Sequence, residues 1–142
     1  MHFLRSINLI RVAQATTAWG VLFAIVHFYW AAGGATGMNG DPADTLAAQA
    51  YIAVVAVLGL AGAGVAYALV HGGPLSRRTL TRVARAGAVA LLLGVVVGSA
   101  SWLEQGSLEG DGANGIAITL YFLLGGVLFS RLGWHARVRP GS

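Results

Sequence analysis

One histidine, His27, lies deep inside a long apolar stretch that carries no Asp, Glu or Arg. An imidazole can accept or donate a hydrogen bond, carry a proton or bind a metal. At membrane depth such a group is costly, and it marks a functional site by default. On a helix ending near Gly34, His27 lies roughly 10 Å below that end, at 1.5 Å per residue. Tyr51, Ser99, Ser101, Thr119 and Tyr121 fall at comparable depth on later apolar segments, with Trp30, Trp102 and Glu104 nearer the mouth. The expected binding set is therefore His27, Trp30, Tyr51, Ser99, Ser101, Trp102, Glu104 and Tyr121. The opposite half offers only Gln14, Thr16, Thr17 and Tyr67, none of them ionisable near neutral pH. This asymmetry predicts a small outward-open cavity with His27 as its deepest ionisable group.

A plainer reading stands beside each of these residues. A neutral histidine can bond a tyrosine hydroxyl or a backbone carbonyl and only fix helix register. Trp30 and Trp102 are at depths where indoles anchor a helix to the interface. Glu104 and Asp111 fit solvated loop acids.

Other chemistries lack their residues. The chain has no cysteine, which excludes disulfides, thiolate catalysis and iron–sulfur ligation. A zinc site lacks three ligands. Paired haem ligation needs two histidines at one depth, but His71 falls at the inner boundary and His2 and His135 fall outside the apolar runs. Gly33-Gly34 and Gly72-Gly73 lack phosphate-loop context. Ser99 and Ser101 have no aligned triad. The expectation is thus no catalytic set, no metal and no cofactor.

The elements that must position His27 are membrane helices. Of 142 residues, 56% are hydrophobic and 10% charged, against about 25% charged in soluble domains. A hydrocarbon core of about 30 Å needs about 20 apolar residues, and four segments supply them, at about 12–34, 46–70, 84–103 and 114–134. The basic residues, all arginine, flank these segments on one side: Arg5, Arg11, the group Arg77, Arg78, Arg82 and Arg85, then Arg131, Arg137 and Arg139. The acids Asp41, Asp44, Glu104, Glu109 and Asp111 fall on the other. Short arginine-rich loops stay cytoplasmic. The predicted fold is all-α, a single domain over 1–142. It is a four-transmembrane-helix bundle running up-down-up-down, with both termini cytoplasmic, a basic inner loop at 71–83 and acidic outer loops at 35–45 and 104–113. The expected location is the bacterial cytoplasmic (inner) membrane. The basic start and Ala/Gly-rich segment near residue 33 also resemble a signal peptide, but the apolar run is longer than an h-region of about 7–15 residues, so retention of the first helix is expected.

Asp44 and Thr45 suit the start of the second helix. The segment from Ser76 to Leu80 reads as a basic amphipathic stretch in the inner interface ahead of the third helix. Gly20, His27 and Gly34 recur every seven residues and share a helical stripe. Such small-residue stripes pack helices in lipid, so His27 is expected to face protein.

The run His27-Phe28-Tyr29-Trp30-Ala31-Ala32-Gly33-Gly34 resembles the H-x-x-W-A-x-G-G run of a bacterial domain-of-unknown-function family of small four-helix membrane proteins. The resemblance extends over the hydropathy profile of nearly the whole chain. It implies the four-helix architecture and an emphasis on His27 and Trp30, and it carries no catalytic role.

Three functions fit the residues. The first is a non-catalytic membrane protein, an accessory subunit or a binder of an apolar or amphipathic ligand around His27. The second is an oligomeric small transporter or channel with His27 as proton-sensitive group. The third is a membrane-embedded lipid-modifying enzyme using His27 and Glu104 as acid and base. Expected partners are the lipid bilayer and a larger membrane complex or further copies of the chain. Basic–aromatic interleaving is absent, which argues against nucleic acid.

Overall fold

The computed structural model describes residues 2–34, 36, 44–105 and 112–136, with side chains described over 8–34, 36, 44–96, 116–134 and 136. It comprises four helices: α1 (His2–Ala31), α2 (Leu46–His71), α3 (Arg77–Gln105) and α4 (Gly112–His135). Each holds a stretch long and apolar enough to cross a membrane: Asn8–Ala31, Leu46–His71, Arg77–Val96 and Ile116–Trp134. Large apolar side chains such as Leu22, Ile25, Leu58, Leu93 and Leu120 are exposed on all four helices, an arrangement suited to hydrocarbon rather than water.

Two helices extend beyond their apolar runs. Helix α1 starts at His2 rather than near Val12, and α3 starts at Arg77 rather than near Ala84. The stretch after Ser76 is therefore the first turns of α3 itself. Arginine is a good helix former and can snorkel its guanidinium to the interface. The loss of hydrophobicity marks the edge of the apolar run, and the hydrogen-bonded ladder continues past it.

Local chemistry fixes the remaining ends. Thr45 is the N-cap of α2, accepting the Ala48 amide at 3.2 Å. Ser76 plays the same part for α3, accepting from the Thr79 amide at 3.2 Å. Helix α1 closes where Gly33, at φ +92°, donates to the Trp30 carbonyl and Gly34 donates to the Tyr29 carbonyl, each at 3.0 Å. This is the paired C-terminal bonding of a Schellman turn, which requires a left-handed residue. Gly34 lies directly against the Tyr29 ring. The Gly-Gly pair of the motif thus has a structural reason. Gly34 stands beyond the helix end, so the seven-residue stripe stops at His27.

Helix α1 packs closely on α2, and α3 on α4; contact between α2 and α3 is much lighter. At the α1–α2 contact, a Cβ on Gly20 would come within 2.9 Å of the Gly59 carbonyl oxygen and 3.0 Å of Ala63 Cβ. Only glycine permits that approach. The Thr17 hydroxyl donates to the Ala63 carbonyl at 3.4 Å nearby. On the other pair, the half-buried Arg85 of α3 donates from Nη2 to the Gly133 carbonyl of α4 at 3.1 Å, satisfying an acceptor near the α4 C-terminus. The core lies between the pairs and is built from Trp19, Phe23, Ala66, Leu69, Leu80, Ala84, Phe129 and Leu132.

Candidate functional site

Four rings line up along one face of α1. Trp19, Phe23, His27 and Trp30 are spaced by four, four and three residues, the helical periodicity that stacks side chains over successive turns. Trp19 and Phe23 have centroids 5.1 Å apart, Phe23 and His27 stack at 3.9 Å, and His27 meets Trp30 edge-on at 4.9 Å. Phe122 of α4 adds an edge contact to Phe23 at 5.6 Å.

This ladder forms the back of a groove of about 770 Å³. Helix α2 supplies one flank through Tyr51, Val55 and Gly62, and α3 the other through Val83, Gly87 and Leu91. The lining residues Leu58, Val83, Ala86 and Ala90 are exposed, while Trp19, Phe23 and Phe129 are buried. The groove therefore opens sideways between α2 and α3, whose contact is much lighter than that within each hairpin. Its α1 wall, Trp19 to Trp30, runs about 16 Å at 1.5 Å per residue.

Phe129 of α4 reaches between the two flanks. A Cβ on Gly62 would lie 2.8 Å from Phe129 Cζ, and one on Gly87 would lie 3.7 Å from its Cδ1. The ring thus occupies the space that two facing glycines leave, so the small residues do not bring α2 and α3 together.

Both indole donors of the groove are already bonded, whereas the exposed Tyr51 hydroxyl has no hydrogen-bond partner among the described residues. The Trp19 indole N–H donates to the Tyr121 carbonyl at 3.1 Å, and the Trp30 indole N–H donates to the Thr36 carbonyl at 3.0 Å. His27 differs. Its Nδ1 lies 2.8 Å from the Phe23 carbonyl oxygen. A carbonyl only accepts, so Nδ1 carries the proton and donates. In its neutral form the ring then presents Nε2 as a bare acceptor. Among the described residues, Nε2 has no protein hydrogen-bond partner. The bond that orients the ring stays within α1 and ties no two helices together.

The structure brings His27, Trp30 and Tyr51 of the expected set into one groove. Tyr121 lies behind it: its hydroxyl donates to the Trp19 carbonyl at 3.1 Å and its ring stacks on Trp19 at 5.1 Å. The side chains of Ser99, Ser101, Trp102 and Glu104 lie outside the described residues, as do those of Glu109 and Asp111. Sequence reasoning passed over Trp19, Phe23, Phe122 and Phe129. The signal for the first two was the 4-4-3 spacing of aromatic rings through His27, which the seven-residue glycine stripe obscured. No cluster of three or more potential metal ligands occurs among the described residues.

No protein-family model, curated protein or solved structure matches the chain.

Proposed function

We propose that the chain is a multi-pass protein of the bacterial cytoplasmic membrane that binds an apolar or amphipathic molecule in the α2–α3 groove and does no chemistry on it. The carrying observation is the groove itself: about 770 Å³, open sideways, and apolar except at isolated points. That volume lies within the roughly 300–1,000 Å³ of small-molecule sites. A ligand dissolved in the bilayer reaches such a site without passing through water. An ion or proton path would call for a lining of rings of carbonyls or charges, whereas the indole donors here are already committed to carbonyls.

The orientation we propose is up-down-up-down with both termini inside. The arginine and acid distribution supports it. The order of contacts supports the alternation alone: Thr17 meets Ala63 while Phe23 meets Gly59, and Gly87 meets Phe129 while Gly94 meets Phe122. In each pair one helix ascends as its neighbour descends. In that frame His27 and Trp30 lie in the outer half.

Native mass spectrometry of protein extracted in mild detergent tests the binding. Ala90 is exposed and lines the groove, so Ala90→Phe fills it without disturbing the core. We expect a retained small apolar molecule on the parent chain and its loss from Ala90→Phe. An identical complement of bound molecules on both would refute the reading.

A further inference from the structure

We infer that the groove selects a lipid carrying a neutral hydroxyl, which donates its hydrogen bond to Nε2 of His27. The inference rests on the groove being a binding site and adds what it recognises.

The argument begins with the tautomer. Because Nδ1 donates to the Phe23 carbonyl at 2.8 Å, the only position the neutral imidazole offers a ligand is an acceptor. A ligand bearing only acceptors, such as an ester, an ether or a ketone, leaves that lone pair unpaired in an apolar site, which is costly. Against the neutral ring an ionised carboxylate fares worse, since it meets no free donor from His27 and loses its hydration. A hydroxyl satisfies the nitrogen. His27 also lies between Phe23, stacked at 3.9 Å, and Trp30, edge-on at 4.9 Å, so the acceptor's direction is set by rings on both sides. The aromatic and aliphatic remainder of the groove takes the chain.

The dimensions favour a lipid over a partner helix. A helix is about 10 Å across, and Phe129 already fills the space between Gly62 and Gly87, where such a helix would have to lie to follow the groove between α2 and α3. A flexible chain fills that shape where a helix does not.

Quenching of tryptophan fluorescence tests the idea with the full chain in phosphatidylcholine nanodiscs. Trp19 and Trp30 line the groove, so a bromine-labelled chain entering it quenches them. The probes are dibromo-octadecanol, its methyl ether, and a dibrominated diacylglycerol with its own methyl ether. Quenching in Ala90→Phe gives the background from the surrounding bilayer. We expect the alcohol to reach half-quenching at a mole fraction about threefold to tenfold below that of its ether, the worth of one such hydrogen bond. The glycerolipid pair shows whether a hydroxyl on a two-chain lipid is accepted too; preference for alcohol over ether in either pair supports the proposal. In His27→Phe, which keeps a stacked ring, the preference should vanish while quenching by both probes remains. Equal quenching by alcohol and ether in the parent chain would overturn the hydroxyl assignment and leave the groove standing. No quenching above the Ala90→Phe background by any probe would overturn the groove reading itself.

Discussion

Trp19 and Tyr121 exchange hydrogen bonds across α1 and α4: each side chain donates to the other's backbone carbonyl at 3.1 Å, and the rings stack at 5.1 Å. Each residue thus buries a large ring and satisfies its polar tip in one contact. The pair joins the first helical hairpin to the second and stands directly behind the Phe23–His27 stack.

Because the two bonds share one geometry, removing either partner should loosen the other. Trp19→Phe and Tyr121→Phe are expected to destabilise the bundle individually and to be less costly together than their sum. A coupling of about 0.5–1.5 kcal/mol is expected for a pair of intramembrane hydrogen bonds plus ring stacking. A double-mutant cycle on reversible unfolding in mixed micelles measures it. Strict additivity would mean that the two bonds do not act as a unit.

Gly125 lies directly under the Trp19 indole, where a Cβ would overlap the ring. Gly125→Ala is therefore expected to cost about 1–3 kcal/mol through overpacking. Gly64 is exposed, and a Cβ there meets nothing within 4 Å. Gly64→Ala should be neutral or stabilise by up to about 1 kcal/mol through helix propensity. Thermal unfolding of the two variants should move in opposite directions, or at least separate clearly; equal midpoints would contradict the packing around Trp19.

If Phe129 props α2 away from α3, its truncation should let them approach. Spin labels on the exposed Leu58 of α2 and Val89 of α3 should move closer in Phe129→Ala than in the parent chain, as read by pulsed electron spin resonance in nanodiscs. An unchanged distance distribution would remove the wedge role from Phe129.

The absence of cysteine makes orientation easy to measure with single introduced thiols. Asn39→Cys and Ser107→Cys should react with a membrane-impermeant maleimide added to intact cells, while Arg78→Cys and Ser142→Cys should react only after permeabilisation. Labelling of Arg78→Cys from outside would invert the proposed topology.

The membrane-spanning character was legible in the sequence because it depends on a sum over many residues. Twenty consecutive apolar side chains leave few alternatives, and the run from Leu46 to Val70 lies within α2. The starts of α1 and α3 were less legible. His2 and Arg77 lie beyond the apolar runs, and polarity reports the solvent rather than the backbone hydrogen bonding. At the site, His27 and Trp30 stood out by type and depth. Trp19 did not, because tryptophan is ordinarily read as an interface residue; its burial depends on Gly125, a residue of α4 far along the chain. Phe129 was invisible for the same reason. Its role exists only when Gly62 and Gly87 face each other, and no local pattern reports that pairing. Tyr121 was singled out by type, but its hydroxyl is committed to the Trp19 carbonyl behind the groove, a pairing no local pattern reports.

His27 is oriented by an atom four residues back on its own helix, so the bundle's joints do not run through it. If the groove binds a lipid through His27, selectivity and architecture are in this sense separable. Exchanging that single side chain for a donor, or for a plain hydrocarbon, would then change which molecules are welcome while the scaffold around it stays whole, and chains with this framework would diversify in ligand without relearning how to fold.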